Sequence, residues 1–255
     1  MQDLISSILY RDEHYLAINK PSGLLVHPSL IDRHEKQTAV NLLQDQLQTR
    51  LFITHRLDKP TSGVLLFALH QEAARKAMEA FSSAEVKKAY LAIVRGYTKK
   101  WGEINAPLPP VHDKLMASRT RKNKAPKAAE TQFRKLDQVE IPVAISRYPQ
   151  SRYSLLEVHP LSGRMHQIRR HLRQIRHPVI GDTRYGDHKH NRYFREAIGC
   201  PRLLLAATEL SFLHPYKEEY LTLTAPVDRV FFSIVERFGW RESMPAEWID
   251  SSDEA

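Results

Sequence analysis

Residues 55–63 read HRLDKPTSG and lead directly into the apolar run 64–69, VLLFAL. Pro60 and Gly63 are typical of a tight turn, so this pattern predicts a short, stiff loop at a sheet edge, followed by a strand. Asp58 lies in that loop. In such a turn an aspartate is more often a local hydrogen-bond acceptor than a catalyst, so Asp58 alone does not define an active site.

Strand-like runs recur along the chain and are separated by only a few helical patterns. The predicted strands are 8–10, 15–19, 64–69, 89–94, 131–136, 153–158, 203–205 and 220–224. The predicted helices are 38–47, 72–81, 165–176 and 227–238, and the last of them is expected to bury Val230, Phe231, Ile234 and Val235. Strands and helices do not alternate strictly. This favours an α+β fold with a mixed, largely antiparallel β-sheet core and flanking helices and loops.

We expect residues 1–241 to form one catalytic domain. Within it, residues 112–130 read as a polar, basic loop, and residues 178–191 read as a turn-rich connection. Residues 242–255 contain five acids and neither Lys nor Arg, which predicts an acidic, flexible C-terminal tail.

The charge of the chain favours a polyanionic partner. Its 255 residues contain 38 Lys and Arg against 29 Asp and Glu, a net charge of +9, which is typical of nucleic-acid-binding proteins but not specific to them. No stretch approaches the roughly 20 apolar residues of a membrane span. The N-terminus lacks a secretory pattern and Cys200 is the only cysteine, so we expect a cytoplasmic protein without membrane attachment.

Several common catalytic motifs are absent from the sequence. It contains no GxxxxGK[ST], GxGxxG, GxSxG or HExxH pattern. His166 and His171 are five positions apart, which on a helix separates them by about 140° and prevents shared metal ligation. We therefore expect no metal site.

The predicted helix 165–176 is amphipathic and strongly basic. Met165, Ile168, Leu172 and Ile175 are expected to face the core, and His166, Arg169, Arg173 and Arg176 lie along one flank of that stripe. These arginines form either a solvated basic face or a set in which Arg169 pairs with a buried carboxylate while its neighbours hold phosphates. Sequence spacing does not distinguish the two.

Four motifs together resemble the RluA family of pseudouridine synthases. The string HRLDKPTSG at 55–63 is similar to that family's signature, and NKPSGLLVHP at 19–28 is similar to its first motif. Residues 88–96 resemble its tyrosine-bearing strand, and 163–172 with 177–182 resemble its arginine motif. The motifs follow the family's order, and the resemblance covers roughly residues 8–225. It implies a β-sheet core of the pseudouridine synthase type.

The resemblance also implies residue roles. Asp58 matches the catalytic nucleophile, Tyr90 the tyrosine that stacks on the target base and assists loss of the C5 proton, and Arg169 the salt-bridge partner of the aspartate. Arg56 matches an arginine that contacts RNA around the flipped nucleotide. Further RNA contacts are expected from Arg164, His166, Arg173, Arg176, Lys122 and Lys124. Ala206 stands where the family usually has histidine, which we interpret as a packing substitution.

The implied reaction converts uridine to pseudouridine in RNA. The product is an isomer of the substrate, so no cofactor is expected. Features at 147–153, 169–178, 186–192 and 238–241 resemble the subgroup that modifies uridine 65 in the T-stem of tRNA. Ribosomal RNA is the alternative substrate. A non-catalytic RNA-binding module and a glycosylase that releases the free base are the alternative functions. None of these hypotheses requires an obligate protein partner.

Overall fold

The computed structural model describes residues 3–28, 37–82, 86–111 and 125–250, and its strands form one sheet. These strands are β1 (Ile8–Arg11), β2 (Tyr15–Lys20), β3 (Phe52–Ile53), β4 (Ser62–Ala68), β5 (Lys87–Arg95), β6 (Trp101–Asn105), β7 (Glu130–Ile141), β8 (Ser151–Pro160), β9 (Leu205–Leu213) and β10 (Tyr220–Thr224). All eight predicted strands correspond to observed ones, but β7 continues to Ile141, past its predicted end at 136, and β9 shares only Leu205 with the predicted strand 203–205. β3 and β6 are additional.

The strand order explains how two distant parts of the chain meet. It runs β1-β2-β4-β9-β5-β8-β7-β6, with β3 beside β4 and β10 beside β9. The pair β4–β9 is parallel, with Ser62 opposite Ala206, and the other pairs of these named strands are antiparallel. The predicted mixed, largely antiparallel sheet is confirmed, and its parallel junction is formed by Ser62 and Gly63, the last two residues of the 55–63 stretch.

Five α-helices flank the sheet in the described residues. They are α1 (Ala39–Leu47), α2 (Gln71–Ser82), α3 (Gln167–Gln174), α4 (His188–Tyr193) and α5 (Arg229–Arg237). Side chains along a strand alternate between faces. On β5, Leu91 and Ile93 share a core cluster with Phe231 of α5, whereas Ala92 and Val94 share one with Ile168 of α3. Helices α3 and α5 therefore cover opposite faces of the sheet.

Two helices differ in detail from their sequence patterns. Helix α3 begins at Gln167, and Met165, predicted to face the core, lies before it and is exposed. In α5, Asp228 caps the helix by accepting from the backbone N–H of Phe231, and this register exposes Val230 while burying Phe232 instead. Helix α4 begins inside the stretch 178–191, predicted to be turn-rich, and ends just beyond it at Tyr193.

The C-terminal segment belongs to the folded body up to residue 250. Met244 and Trp248 are buried in the cluster beneath α5, and the Trp248 carbonyl accepts from the backbone N–H of Val227 at 2.9 Å. Residues 242–250 are therefore part of the folded domain and not of a flexible tail, because their apolar side chains complete this core. None of the helices in the described ranges is long and apolar enough to cross a membrane.

Candidate active site

Asp58 lies on the loop that connects β3 to β4. The backbone N–H of Thr61 donates to the Asp58 carbonyl at 3.0 Å, which closes the predicted turn. Gly63 follows with φ +112°, and a Cβ there would come within 2.0 Å of the Ala207 carbonyl oxygen. Only glycine allows this approach of β4 to β9. The loop is thus fixed at the parallel junction of the sheet.

The buried ammonium group of Lys20 hydrogen-bonds to the loop that carries Asp58. It donates to the carbonyls of Pro21 and Leu24, each at 2.8 Å, and to the carbonyl of Lys59 at 3.2 Å. Burial, together with the nearby charge of Arg202, lowers the pKa of Lys20 to about 7. This lysine joins the 20–24 turn to the residue directly after Asp58.

Arg169 pairs with Asp58, as the second of the two hypotheses for its helix requires. Arg169 Nη1 lies 2.8 Å from Asp58 Oδ2, and the arginine side chain is 6% exposed while that of Asp58 is 25% exposed. Burial opposes the charge on Arg169, but its contacts with Asp182 and Asp58 outweigh it and raise the pKa. The guanidinium is therefore always charged, and Asp58 stays partly accessible to solvent.

Asp182 holds Arg169 from the other side. Nε and Nη2 of Arg169 each lie 2.8 Å from one oxygen of this fully buried carboxylate. The backbone N–H groups of Arg184 and Tyr185 donate to its Oδ1 at 2.9 Å. Burial alone would raise the pKa of Asp182, but the hydrogen bonds and charge of Arg169 lower it. Asp182 is thus an ionised anchor for the arginine.

Tyr90 reaches the same region from β5. It stands opposite Val158 of β8 and Ala207 of β9, directly at a β-bulge between Ala89 and Tyr90. Bulges of this kind redirect side chains and are common beside active sites. Burial raises the pKa of Tyr90, and the charge of Asp58 raises it further, so the side chain is a neutral phenol at neutral pH.

The ring of His166 lies beside Asp58 and not on the exposed flank of the helix. Its side chain is 11% exposed, and Nε2 lies 3.8 Å from Asp58 Oδ1. On the opposite edge of the ring, Nδ1 lies 2.9 Å from the hydroxyl of Tyr185. His166 therefore belongs to the surroundings of the carboxylate, although the sequence suggested a phosphate contact.

The remaining predicted RNA contacts are on the surface. Arg56, Arg164, Arg173 and Arg176 are exposed. Arg173 Nη1 donates to the Tyr185 carbonyl at 2.8 Å, and Arg164 Nε donates to the Ala128 carbonyl at 3.0 Å. Lys122 and Lys124 lie outside the described residues. Arg164, Arg173 and Arg176 lie on α3 or directly beside it, in the segment that also carries Arg169.

The side chains of His55 and Ala206 contribute to packing within the fold. The backbone N–H of Leu66 donates to His55 Nε2 at 3.0 Å, and the imidazole stacks on Phe81 with 4.7 Å between ring centroids. Ala206 is buried in the cluster beneath α5, whereas the next residue, Ala207, packs on the face that carries Tyr90. Position 206 therefore faces away from Asp58.

In the part of the chain that is described, no group of three or more His, Cys, Asp or Glu side chains could hold a metal ion.

Comparison with known proteins identifies the class. A sequence profile described as RNA pseudouridylate synthase matches residues 14–174. The fold is similar to that of human RNA pseudouridylate synthase domain containing 4, with a TM-score of 0.70 and 25% identity, covering 92% of this chain and 94% of that one. The corresponding human domain containing 1 protein gives a TM-score of 0.67 at 27% identity, covering 88% and 84%. The chain belongs to the RNA pseudouridylate synthase family, and it is an enzyme that isomerises uridine to pseudouridine in RNA.

Curated relatives show which members of the family the chain resembles. The chain is 45% identical to the tRNA pseudouridine synthase C of Vibrio vulnificus, over 93% of this chain and 97% of the relative. It is 46% identical to the protein of that name from Haemophilus ducreyi, over 91% and 96%. The family membership predicted from the four motifs is confirmed.

The sequence pattern missed three residues of this site. Asp182 and Lys20 lie within quoted motifs, and Tyr185 lies in the turn-rich stretch 178–191, but their contacts depend on how separate segments meet. A run such as 181–186, GDTRYG, marks a turn and does not reveal which side chain it anchors.

Proposed function

We propose that this enzyme isomerises uridine 65 in the T-stem of tRNA, with Asp58 as the nucleophile. The observation that carries the tRNA assignment is the similarity, over nearly the full length of both chains, to relatives named tRNA pseudouridine synthase C. The position within tRNA rests on the subgroup features at 147–153, 169–178, 186–192 and 238–241.

The geometry supports a carboxylate reaction at the ribose. Making pseudouridine breaks the C1′–N1 bond, turns the uracil, joins C5 to C1′, and replaces the C5 proton by one on N1. Arg169 holds Oδ2 of Asp58, which leaves Oδ1 for the sugar. An ionised carboxylate held in this way can attack C1′ or act as a base at C2′. Both routes need the target nucleotide to leave the RNA stack.

Tyr90 is suited to support the displaced base. A half-buried ring near Asp58 provides a stacking surface for a uracil, and stacking of this kind is worth roughly 1–3 kcal/mol per base. Because its raised pKa keeps the hydroxyl protonated, Tyr90 assists C5 proton loss as a neutral hydrogen-bonding group. The exposed arginines around α3 supply phosphate contacts that offset the cost of flipping.

The assignment is tested by mapping pseudouridine in total RNA from cells with and without this protein, and in transcripts treated with purified enzyme. We expect one missing site at uridine 65 of tRNA. A tRNA transcript with cytidine at position 65 is the matched control and should gain no pseudouridine. Loss of a ribosomal site with tRNA unchanged would overturn the tRNA assignment. If the pseudouridine content of both tRNA and ribosomal RNA were the same with and without the protein, the proposed activity would be wrong.

A further inference from the structure

His166 occupies an unusual backbone position for the residue that begins a helix. It is the N-cap of α3 with φ 56° and ψ 29°, in the left-handed region, and its side chain makes no capping hydrogen bond. Helix N-caps favour Ser, Thr, Asp or Asn, whose oxygen accepts from the first turn. Non-glycine residues at positive φ are uncommon and concentrate at functional sites. The helix gains no capping hydrogen bond from the histidine ring, whose polar neighbours are Asp58 and Tyr185.

The ring bridges the space between a carboxylate and a phenol. Nε2 lies 3.8 Å from Asp58 Oδ1, and Nδ1 lies 2.9 Å from the Tyr185 hydroxyl. The two rings meet edge to face, with 5.5 Å between centroids. Tyr185 is held in turn by Asp182, which accepts from its backbone N–H at 2.9 Å. The same anchor that fixes Arg169 therefore also fixes the partner of His166.

The charges around the imidazole determine its hydrogen-bonding state. Burial lowers the pKa of His166, and Arg169 and Arg184 lower it further against the opposing effect of Asp58 and Asp182. The neutral ring carries one N–H. Burial raises the pKa of Tyr185, so its hydroxyl keeps a proton to donate. The favourable arrangement has Tyr185 donating to Nδ1 and the Nε2–H directed at Oδ1 of Asp58.

Asp58 needs a second support because Arg169 alone does not fix its orientation. A single hydrogen bond joins Arg169 Nη1 to Oδ2, and one contact of this kind does not by itself fix the plane of the carboxylate. The imidazole borders the other oxygen. At 3.8 Å the two atoms are too far apart for a hydrogen bond, but such contacts commonly tighten when substrate binds.

We infer that His166 is a positioning residue for Asp58, held by Tyr185 in the Nε2–H tautomer so that the carboxylate presents Oδ1 to the ribose. The inference rests on the proposed role of Asp58. It replaces the phosphate-contact role predicted from the sequence. His166 acts on the rate of the chemical step through Asp58, and contributes little to RNA affinity.

The test compares His166→Asn with His166→Gln. Asparagine tolerates the left-handed backbone and is a good N-cap, so His166→Asn should be at least as stable as wild type. Its short side chain cannot reach the Nε2 position. We expect its single-turnover rate on the tRNA transcript to fall about 10- to 100-fold, with the RNA dissociation constant within about threefold. The glutamine amide reaches that position, so His166→Gln should recover part of the rate despite the strained backbone.

The tautomer has its own readout, which needs no RNA. In 15N spectra of histidine-labelled protein, assigned by the signals missing from His166→Asn, His166 should be protonated at Nε2. Tyr185→Phe should convert it to a mixture of tautomers and slow the single turnover about 3- to 10-fold. Wild-type rates in His166→Asn, a loss confined to RNA affinity, or a proton on Nδ1 in the wild type would each overturn the inference. A wild-type enzyme inactive on tRNA would instead refute the proposed substrate, and leave the spectroscopic result intact.

Discussion

Arg169 and Asp182 form a two-point ion pair in which Nε and Nη2 each lie 2.8 Å from a different carboxylate oxygen. This leaves Nη1 free to bind Asp58, 111 positions earlier in the chain. Asp182 thus orients the guanidinium of Arg169 towards Asp58. Removing one member of a buried pair leaves an uncompensated charge, which commonly costs about 3–5 kcal/mol.

Asp182→Asn should therefore destabilise the protein and slow catalysis together. We expect the free energy of unfolding, measured in urea, to fall by about 2–4 kcal/mol, because the amide keeps only part of the contact. Single-turnover product should fall as Asp58 loses its fixed partner. Glu196→Gln is the matched control, since Glu196 pairs with Arg195 on the exposed surface and should change neither quantity measurably. Equal effects of the two substitutions would contradict the anchoring role.

Tyr90 separates base stacking from proton transfer. Tyr90→Phe keeps the ring, so RNA binding should persist while pseudouridine release slows or stops. Tyr90→Leu also removes the aromatic face, and should weaken RNA binding by roughly 1–3 kcal/mol relative to phenylalanine. On one tRNA transcript, dissociation constants measure the contribution of base stacking. The amount of pseudouridine formed in a single turnover measures the contribution of the hydroxyl. A fully active Tyr90→Phe enzyme would exclude a role of the hydroxyl in proton transfer. Equal RNA affinities of the Phe and Leu variants would exclude a stacking role of the ring.

Substitution of Arg173 tests the basic surface of α3. Arg173 is exposed on α3, and Arg173→Ala should weaken RNA binding at low salt and reduce the slope of log affinity against log salt concentration by about one. Arg237→Ala provides the control. Arg237 is equally exposed, but lies on α5 across the sheet. If the two variants bind identically across the salt range, α3 is not the phosphate-binding surface.

His55 makes the fold sensitive to acid. Burial, with the nearby charge of Lys88, lowers the pKa of His55 to about 3, compared with about 6.5 in an unfolded chain. Between these values the unfolded state binds a proton that the folded state does not, so stability falls with falling pH by at most about 1.4 kcal/mol per unit.

His55→Gln removes this titration. The variant is expected to be less stable than wild type at pH 7, and the difference should shrink as the pH falls from 6.5 towards 3. Unfolding free energies across that range provide the measurement. His188→Gln, at an exposed position, should follow the wild-type curve. A constant difference between His55→Gln and wild type would show that His55 does not titrate on unfolding.

Most of the fold could be predicted because its strands are apolar runs bounded by turns. β6 was missed because it is short, contains Gly102 and exposes Trp101. α4 was missed because its sequence, HKHNRY, is polar and depends on the Asp187 cap and not on an apolar stripe. Local periodicity contains no signal for either element.

The site was only partly predictable, since its motifs locate residues but not their partners. Arg169 and Arg173 lie on the same flank of the helical pattern, yet one is buried in an ion pair and the other is exposed. The difference comes from Asp182, which the turn after β8 and α3 brings beneath Arg169. Which arginine meets a buried carboxylate depends on tertiary structure, and helical spacing cannot show it.

The most direct test of the account is Asp58→Asn. Tritium release from C5-labelled uridine in tRNA, measured in single turnover, should drop to background because an amide lacks the charged oxygen that reacts with the ribose. RNA affinity should stay within about twofold, and Asp45→Asn, on the exposed side of α1, should react like wild type. Release by Asp58→Asn within about tenfold of the wild-type rate would contradict Asp58 as the nucleophile.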